Sequence, residues 1–168
     1  VRYLVSDRIL LMIYNSLIVP YISYCNILWA VSKSVTDDIH LLQKKALRIC
    51  AGVGYREHTD PLFVRFKCLK VGEINFLQTS LFMYRYNNSI LPSSFISMFL
   101  KNNAIHSYST RQAANLHLFN PRTVLAHKSV RHTGPDVWNS LLIETRNLPT
   151  IYSFKNAVKR MLIANISV

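Results

Sequence analysis

The sequence predicts a mainly α-helical protein. Half of its 168 residues are hydrophobic, which is enough for a buried core and argues against a disordered chain. Glycine (4) and proline (6) are scarce, and no repeat or low-complexity tract breaks the pattern. In several windows apolar residues recur at the three-to-four spacing of a helix with one buried face.

The first element is ILLMIYNSLIVPYISYCNILWAVS, residues 9–32, which holds no charged side chain. As one helix it would be long enough to cross a bilayer. Two features favour a protein core instead. On a helical wheel Asn15 and Asn26 fall within about 20° of each other, with Ser16 and Ser23 within about 100°. Pro20 also removes a backbone donor mid-run. The expected form is a long helix broken near Pro20, with a narrow wet side and its other faces covered by neighbours. The rival is a membrane-associated basic protein anchored by residues 9–32 on anionic lipid. No basic leader with a short apolar run and cleavage site occurs, so a signal peptide is not expected.

The second helix is SVTDDIHLLQKKALRICAGVG. Thr36 is its expected N-cap, Asp37 and Asp38 its first turn, and Gly52 and Gly54 its end. Ile39, Leu42, Ala46 and Ile49 form the expected apolar face; His40, Lys44 and Arg48, with Lys45 beside them, form a basic stripe. DPLFVRFKCLKVG reads as a shorter helix capped by Asp60 and ended by Gly72. EINFLQTSLFMYRYNNS reads as another, broken at Asn87 and Asn88, and LPSSFISMFLKNN as a short one starting near Pro92. From about Asn103 periodicity weakens, which divides the chain into residues 1–101 and a basic extension, 102–168. There LHLF and KSVRH suggest a short β-hairpin. Two terminal helices follow, GPDVWNSLL with Pro135 near its start and IYSFKNAVKRMLI with Ile151, Phe154, Val158 and Met161 inward.

Charge restricts function more than motif does. Twenty basic residues against eight acidic ones give a formal net charge of +12, which points to a polyanionic partner. Between Glu73 and Asp136 no acidic residue occurs, while Arg85, Lys101, Arg111, Arg122, Lys128 and Arg131 do. The candidate phosphate contacts are Lys44, Lys45 and Arg48; then Arg111, Arg122, Lys128 and Arg131; then Lys155, Lys159 and Arg160. Tyr108 and Phe119 are the candidate base-stacking residues within the basic stretch.

Catalytic chemistry finds no foothold. Asp37 and Asp38 are adjacent and point apart on a helix, and Asp136 and Glu144 are isolated, so no carboxylate pair can hold divalent metals. No phosphate-cradling glycine loop and no G-x-S-x-G elbow occurs. His127 and His132 have the spacing of half a zinc site, but no C-x-x-C supplies the other half, and neither a metal nor another cofactor is expected. Cys25, Cys50 and Cys68 are dispersed among apolar residues. They are expected to be buried, reduced thiols of an intracellular protein of cytoplasm or nucleus, not a secreted one.

Five segments, in order, resemble the C-terminal region of LINE-type (non-LTR) retrotransposon reverse transcriptases. The first is IYNSLIVPYISYCNILWA, which resembles the pattern Y-x-S-L-I-x-P-x-x-x-Y followed by tryptophan, through Tyr14, Ser16, Leu17, Ile18, Pro20, Tyr24 and Trp29. LQKKALRI is the second, and YRYNNSILPSSF, with Pro92, the third. HSYSTR follows, with His106, Thr110 and Arg111. The last is GPDVWNSL, with Gly134, Trp138 and Asn139, and SFK after it, with Phe154. Leu142 stands where the family usually has the proline of W-N-x-L-P.

The resemblance implies a helical thumb-like region over residues 1–101, gripping primer–template, and a post-polymerase extension after it. The family's catalytic Y-x-D-D and its divalent metals belong to an upstream palm, and no Y-x-D-D occurs here. The chain, whose first residues VRYLVSDR already read as the inside of a helix, is therefore expected to be a piece of a longer protein, inactive alone. Its expected partners are RNA, DNA or hybrid duplex and the fingers and palm of the same polyprotein, with no membrane and no small-molecule substrate. The rival within the resemblance is an inert, truncated transposon remnant.

Overall fold

The structure, a computed structural model, describes residues 5–105 and 111–166. It is mainly helical, as the periodicity predicts. Two compact units divide the chain, one comprising Val1–Asn75 and Lys159–Val168, the other Phe76–Val158. The sequence instead changes texture after residue 101.

In the first unit the uncharged run is a series of short helices. Helix α1 (Asp7–Ile13) passes through one π-helical turn (Tyr14–Ile18) into α2 (Val19–Ser23); Cys25 then takes a left-handed conformation (φ 46°) before α3 (Asn26–Trp29). Pro20 has no N–H to return to the Ser16 carbonyl, and the Ser16 hydroxyl bonds back to the Met12 and Ile13 carbonyls, both of which loosen the regular ladder. These breaks undo the expected polar side. Asn15 is exposed, whereas Asn26 is fully buried, its Nδ2 donating to the Ile22 carbonyl at 3.0 Å. The apolar faces are not all covered either: Met12, Leu17, Tyr21 and Leu28 are exposed.

Helix α4 (Lys33–Ala51) starts one turn earlier than expected. Ser32 is the N-cap residue, and Thr36 lies inside the first turn with its hydroxyl on the Ser32 carbonyl. Asp37 and Asp38 therefore lie past the first turn. Its buried seam is Gln43, Leu47 and Cys50; Leu42 and Ile49, expected inside, are exposed. Tyr14, Leu47, Cys50, Phe63 and Cys68 make the core of this unit. Helix α5 (Asp60–Arg65) ends well before Gly72; just past its C-cap Phe66, Lys67 adopts φ 51° so that Cys68 N–H reaches the Phe63 carbonyl at 2.9 Å. Gly72 instead lies in the first turn of α6 (Val71–Asn87), where Glu73 reaches back to accept the Lys70 N–H at 2.7 Å.

In the second unit α6 ends at Asn87, where the break was expected, with Ser89 left-handed two residues on; a 3-10 turn (Ser93–Phe95) and α7 (Asn102–Ile105) stand where one helix from Pro92 was expected. The expected hairpin does not form as such. Leu116 makes an isolated antiparallel bridge with Lys101, and residues 130–132 of KSVRH open a helix. Helix α8 (Val124–His127) is capped by the Thr123 hydroxyl, and α9 (Val130–Ser140) begins well before Pro135, which it contains mid-helix. Helix α10 (Ile143–Arg146) leads to α11 (Ile151–Ile166), whose Phe154 and Val158 are fully buried as predicted.

Candidate nucleic-acid interface

On α4 the first-unit basic stripe runs from Lys44, beside the buried seam, round to Lys45, nearly opposite it. Lys45 is exposed, whereas Lys44 and Arg48 are half-buried. Arg48 is already engaged: its Nε donates to the Glu57 carbonyl at 2.9 Å, and its guanidinium lies 5.9 Å from the Tyr55 ring. His40 turns inward, stacked on Phe63 with ring centroids 5.8 Å apart and 3.3 Å from Gln43 Oε1. Burial lowers its imidazole pKa, a push to which Lys44 and Lys70 add and which the Gln43 bond opposes. His40 therefore adds no charge to the stripe near neutral pH. On α11, Lys159 is half-buried and Arg160 exposed.

In the second unit Arg111, Arg122, Lys128, Arg131 and Lys155 are all exposed. None makes an ion pair among the described residues, where the pairs are Arg65–Asp7 and Lys70–Asp60. Arg131 and Phe119, twelve positions apart, come together: the guanidinium lies over the ring at 5.3 Å, and Phe119 is itself 43% exposed. His132 Nδ1 donates to the Phe119 carbonyl at 2.7 Å, which fixes the loop that carries the ring to the start of α9. A solvated cation against an exposed aromatic face can bind a phosphate and an unpaired base side by side. The sequence named both residues without placing them together. Tyr108, His106 and Thr110 lie outside the described residues.

The other resemblance residues mostly hold the fold. Tyr14 is buried, Pro20 occupies the first turn of α2, and Pro92 precedes the 3-10 turn. Trp29 Nε1 donates to the Tyr24 carbonyl at 2.8 Å while the Tyr24 ring is exposed, so the pair is joined through backbone. In the second unit Phe154 stacks on Tyr84 at 4.6 Å and lies 6.0 Å from Trp138, and Gly134 and Asn139 make close contacts of their own. Cys50 and Cys68 are buried, but Cys25, expected to be buried, is exposed.

Among the described residues no group of three or more His, Cys, Asp or Glu side chains converges on a metal position. No helix among them is long and apolar enough to cross a membrane. No protein family, curated protein or solved structure matches this chain.

Proposed function

We propose that the chain holds nucleic acid for a retrotransposon reverse transcriptase whose catalytic palm lies elsewhere in a longer protein, working in cytoplasm or nucleus. The observation that carries this reading is the Arg131–Phe119 pair, exposed among the unpaired cations Arg122 and Lys128 in a stretch without acidic residues. A polymerase grip slides along its duplex after each addition. Contacts to phosphates and base faces suit that task because they ignore sequence.

The test is a salt titration of binding to a labelled RNA–DNA hybrid with a single-stranded overhang. Contacts to six to ten phosphates lower affinity by roughly 10³–10⁵ between 50 and 200 mM salt. An Arg122→Ala, Lys128→Ala, Arg131→Ala variant should flatten that slope by about one unit per lost contact. Phe119→Ala should weaken overhang binding by about 1–3 kcal/mol at fixed salt. A Lys44→Ala, Lys45→Ala variant tests α4 without disturbing the Arg48–Glu57 bond. A flat salt response from folded protein would end the proposal and leave the inert remnant as the better reading.

A further inference from the structure

His127 and His132 lie in the second unit, where His127 closes α8 and His132 sits in the first turn of α9. Their rings are nearly perpendicular, at 84°, with His127 Nδ1 and His132 Nε2 3.5 Å apart. The Phe119 carbonyl can only accept, so His132 carries its proton on Nδ1 and presents a lone pair at Nε2. That is the arrangement by which a neighbouring carbonyl orients a metal-binding imidazole and selects the ligating nitrogen.

The nitrogen separation is close to that of two ligands on one ion. Two imidazole nitrogens on one tetrahedral zinc ion stand about 3.3 Å apart, with their ring centroids about 5.2 Å apart. A collinear N–H···N bond at the observed separation would put the centroids about 5.8 Å apart. The observed centroid separation is 4.8 Å, below both values, so the ring axes do not both run along the N···N line, and seating a shared ion requires a turn of the exposed His127 ring. We infer that His127 Nδ1 and His132 Nε2 form a two-histidine site for a borderline divalent cation of the zinc, nickel or copper class.

Binding needs no external reactant. His127 moves its proton from Nδ1 to Nε2 through solvent, and both free lone pairs then bond the ion. Water completes the coordination sphere. Lys128 and Arg131 oppose a cation here, while Asp136, one turn along α9 from His132, offsets part of that charge. Oxygen-seeking magnesium and calcium have no reason to bind two imidazoles. The absent C-x-x-C, which argued against zinc in the sequence, removes a closed structural site but not an open one.

The experiment is titration of the full chain with ZnCl2, followed by calorimetry and by nitrogen NMR of the histidine rings. One equivalent of zinc should bind, moving the His127 Nδ1 and His132 Nε2 resonances while His132 keeps its Nδ1 proton. His127→Ala and His132→Gln should each weaken binding at least about tenfold. Glutamine retains a donor for the Phe119 carbonyl, and circular dichroism checks that the fold survives. His58→Gln, an exposed histidine of the first unit, should leave binding unchanged. Saturable binding that persists in the double variant, shifts confined to other histidines, or no saturable binding would each overturn the inference. Neither the salt slope nor overhang binding enters this test, so it stands or falls apart from the nucleic-acid reading.

Discussion

Gln43 Nε2 donates to Tyr14 Oη at 2.8 Å, and both side chains are buried in the first unit. The second proton on that nitrogen goes to the Leu69 carbonyl, also at 2.8 Å. One amide therefore joins the uncharged run to α4 and to the segment before α6. Tyr14→Phe leaves one amide donor unpaired and should cost about 1–2 kcal/mol. Gln43→Ala removes both bonds and opens a cavity, and should cost about 2–4 kcal/mol. Equilibrium denaturation measures both. A Gln43→Ala loss below that of Tyr14→Phe would mean the amide does not join these elements.

The same burial sets the alkaline limit of stability. Burial pushes the Tyr14 hydroxyl from 10.0 up to about 12, with the Gln43 bond opposing, and pushes the Cys68 thiol from 9.0 up to about 11, with Lys159 opposing. A group whose folded pKa is raised binds its proton more tightly when folded. Its stabilisation is complete below the unfolded value and is lost as pH rises through the folded one. Stability should fall from about pH 9, first through Cys68 and then through Tyr14. Tyr14→Phe should remove the upper part of that fall and Cys68→Ala the lower part. Melting temperatures from pH 8 to 12 report both.

Thiol chemistry gives an independent reading of the packing. Cys25 is exposed, while Cys50 and Cys68 are buried and burial raises both thiols. The thiolate is the reactive form, so both buried groups are doubly protected. A chromogenic disulfide reagent should modify one thiol quickly in the native protein and the other two only after denaturant. Rapid reaction of two or three would show that the first-unit core is open.

Much of this architecture is written in periodicity, and each departure from it has its own physical cause. The α11 seam of Phe154 and Val158 follows from spacing alone. The α4 seam was misjudged because it contains Gln43, a polar residue that burial tolerates only because Tyr14, Leu69 and His40 surround its amide. Gly52 marked a helix end, but Lys67 and Ser89 adopt the same left-handed conformation without the residue that announces it. KSVRH has the alternation of a strand but lies next to GPDVWNS, with which its last three residues form one helix. Charge identified the basic residues of the interface. It could not pair Arg131 with Phe119, because a loop and α8 separate them in the chain.

Gly134 is closely packed in the second unit. A Cβ there would meet Met83 Sδ at 2.7 Å and Phe99 Cζ at 3.4 Å. Alanine favours a helix over glycine by about 1 kcal/mol, but overpacking a core costs about 1–3 kcal/mol. Met83 is fully buried and has little room to retreat. Gly134→Ala should therefore destabilise the protein by up to about 2 kcal/mol. In a Met83→Ala background the same change should be neutral or stabilising, because the obstructing sulfur is gone. A double-mutant cycle in urea measures the difference, and additive effects would exclude the close approach.

Asn139 tests whether the W-N pair of the resemblance is structural. Its Oδ1 accepts the Leu116 N–H at 3.1 Å, and its Nδ2 donates to the Leu116 carbonyl at 2.8 Å. The side chain thus does for Leu116 what a neighbouring strand would do, and leaves Leu116 to bridge Lys101 on its other side. Leu116 is buried, so losing the clamp leaves two backbone groups without their partner. Asn139→Ala should cost about 2–3 kcal/mol. Asn139→Asp can still accept the N–H, but it sets a carboxylate against the Leu116 carbonyl where an amide donated. It should destabilise at pH 7 and recover part of the loss when acid protonates the carboxyl group. Denaturation of the three proteins at pH 7 and pH 4 decides the matter. Equal stability of Asn139→Ala and the parent would show that Leu116 is held by packing alone.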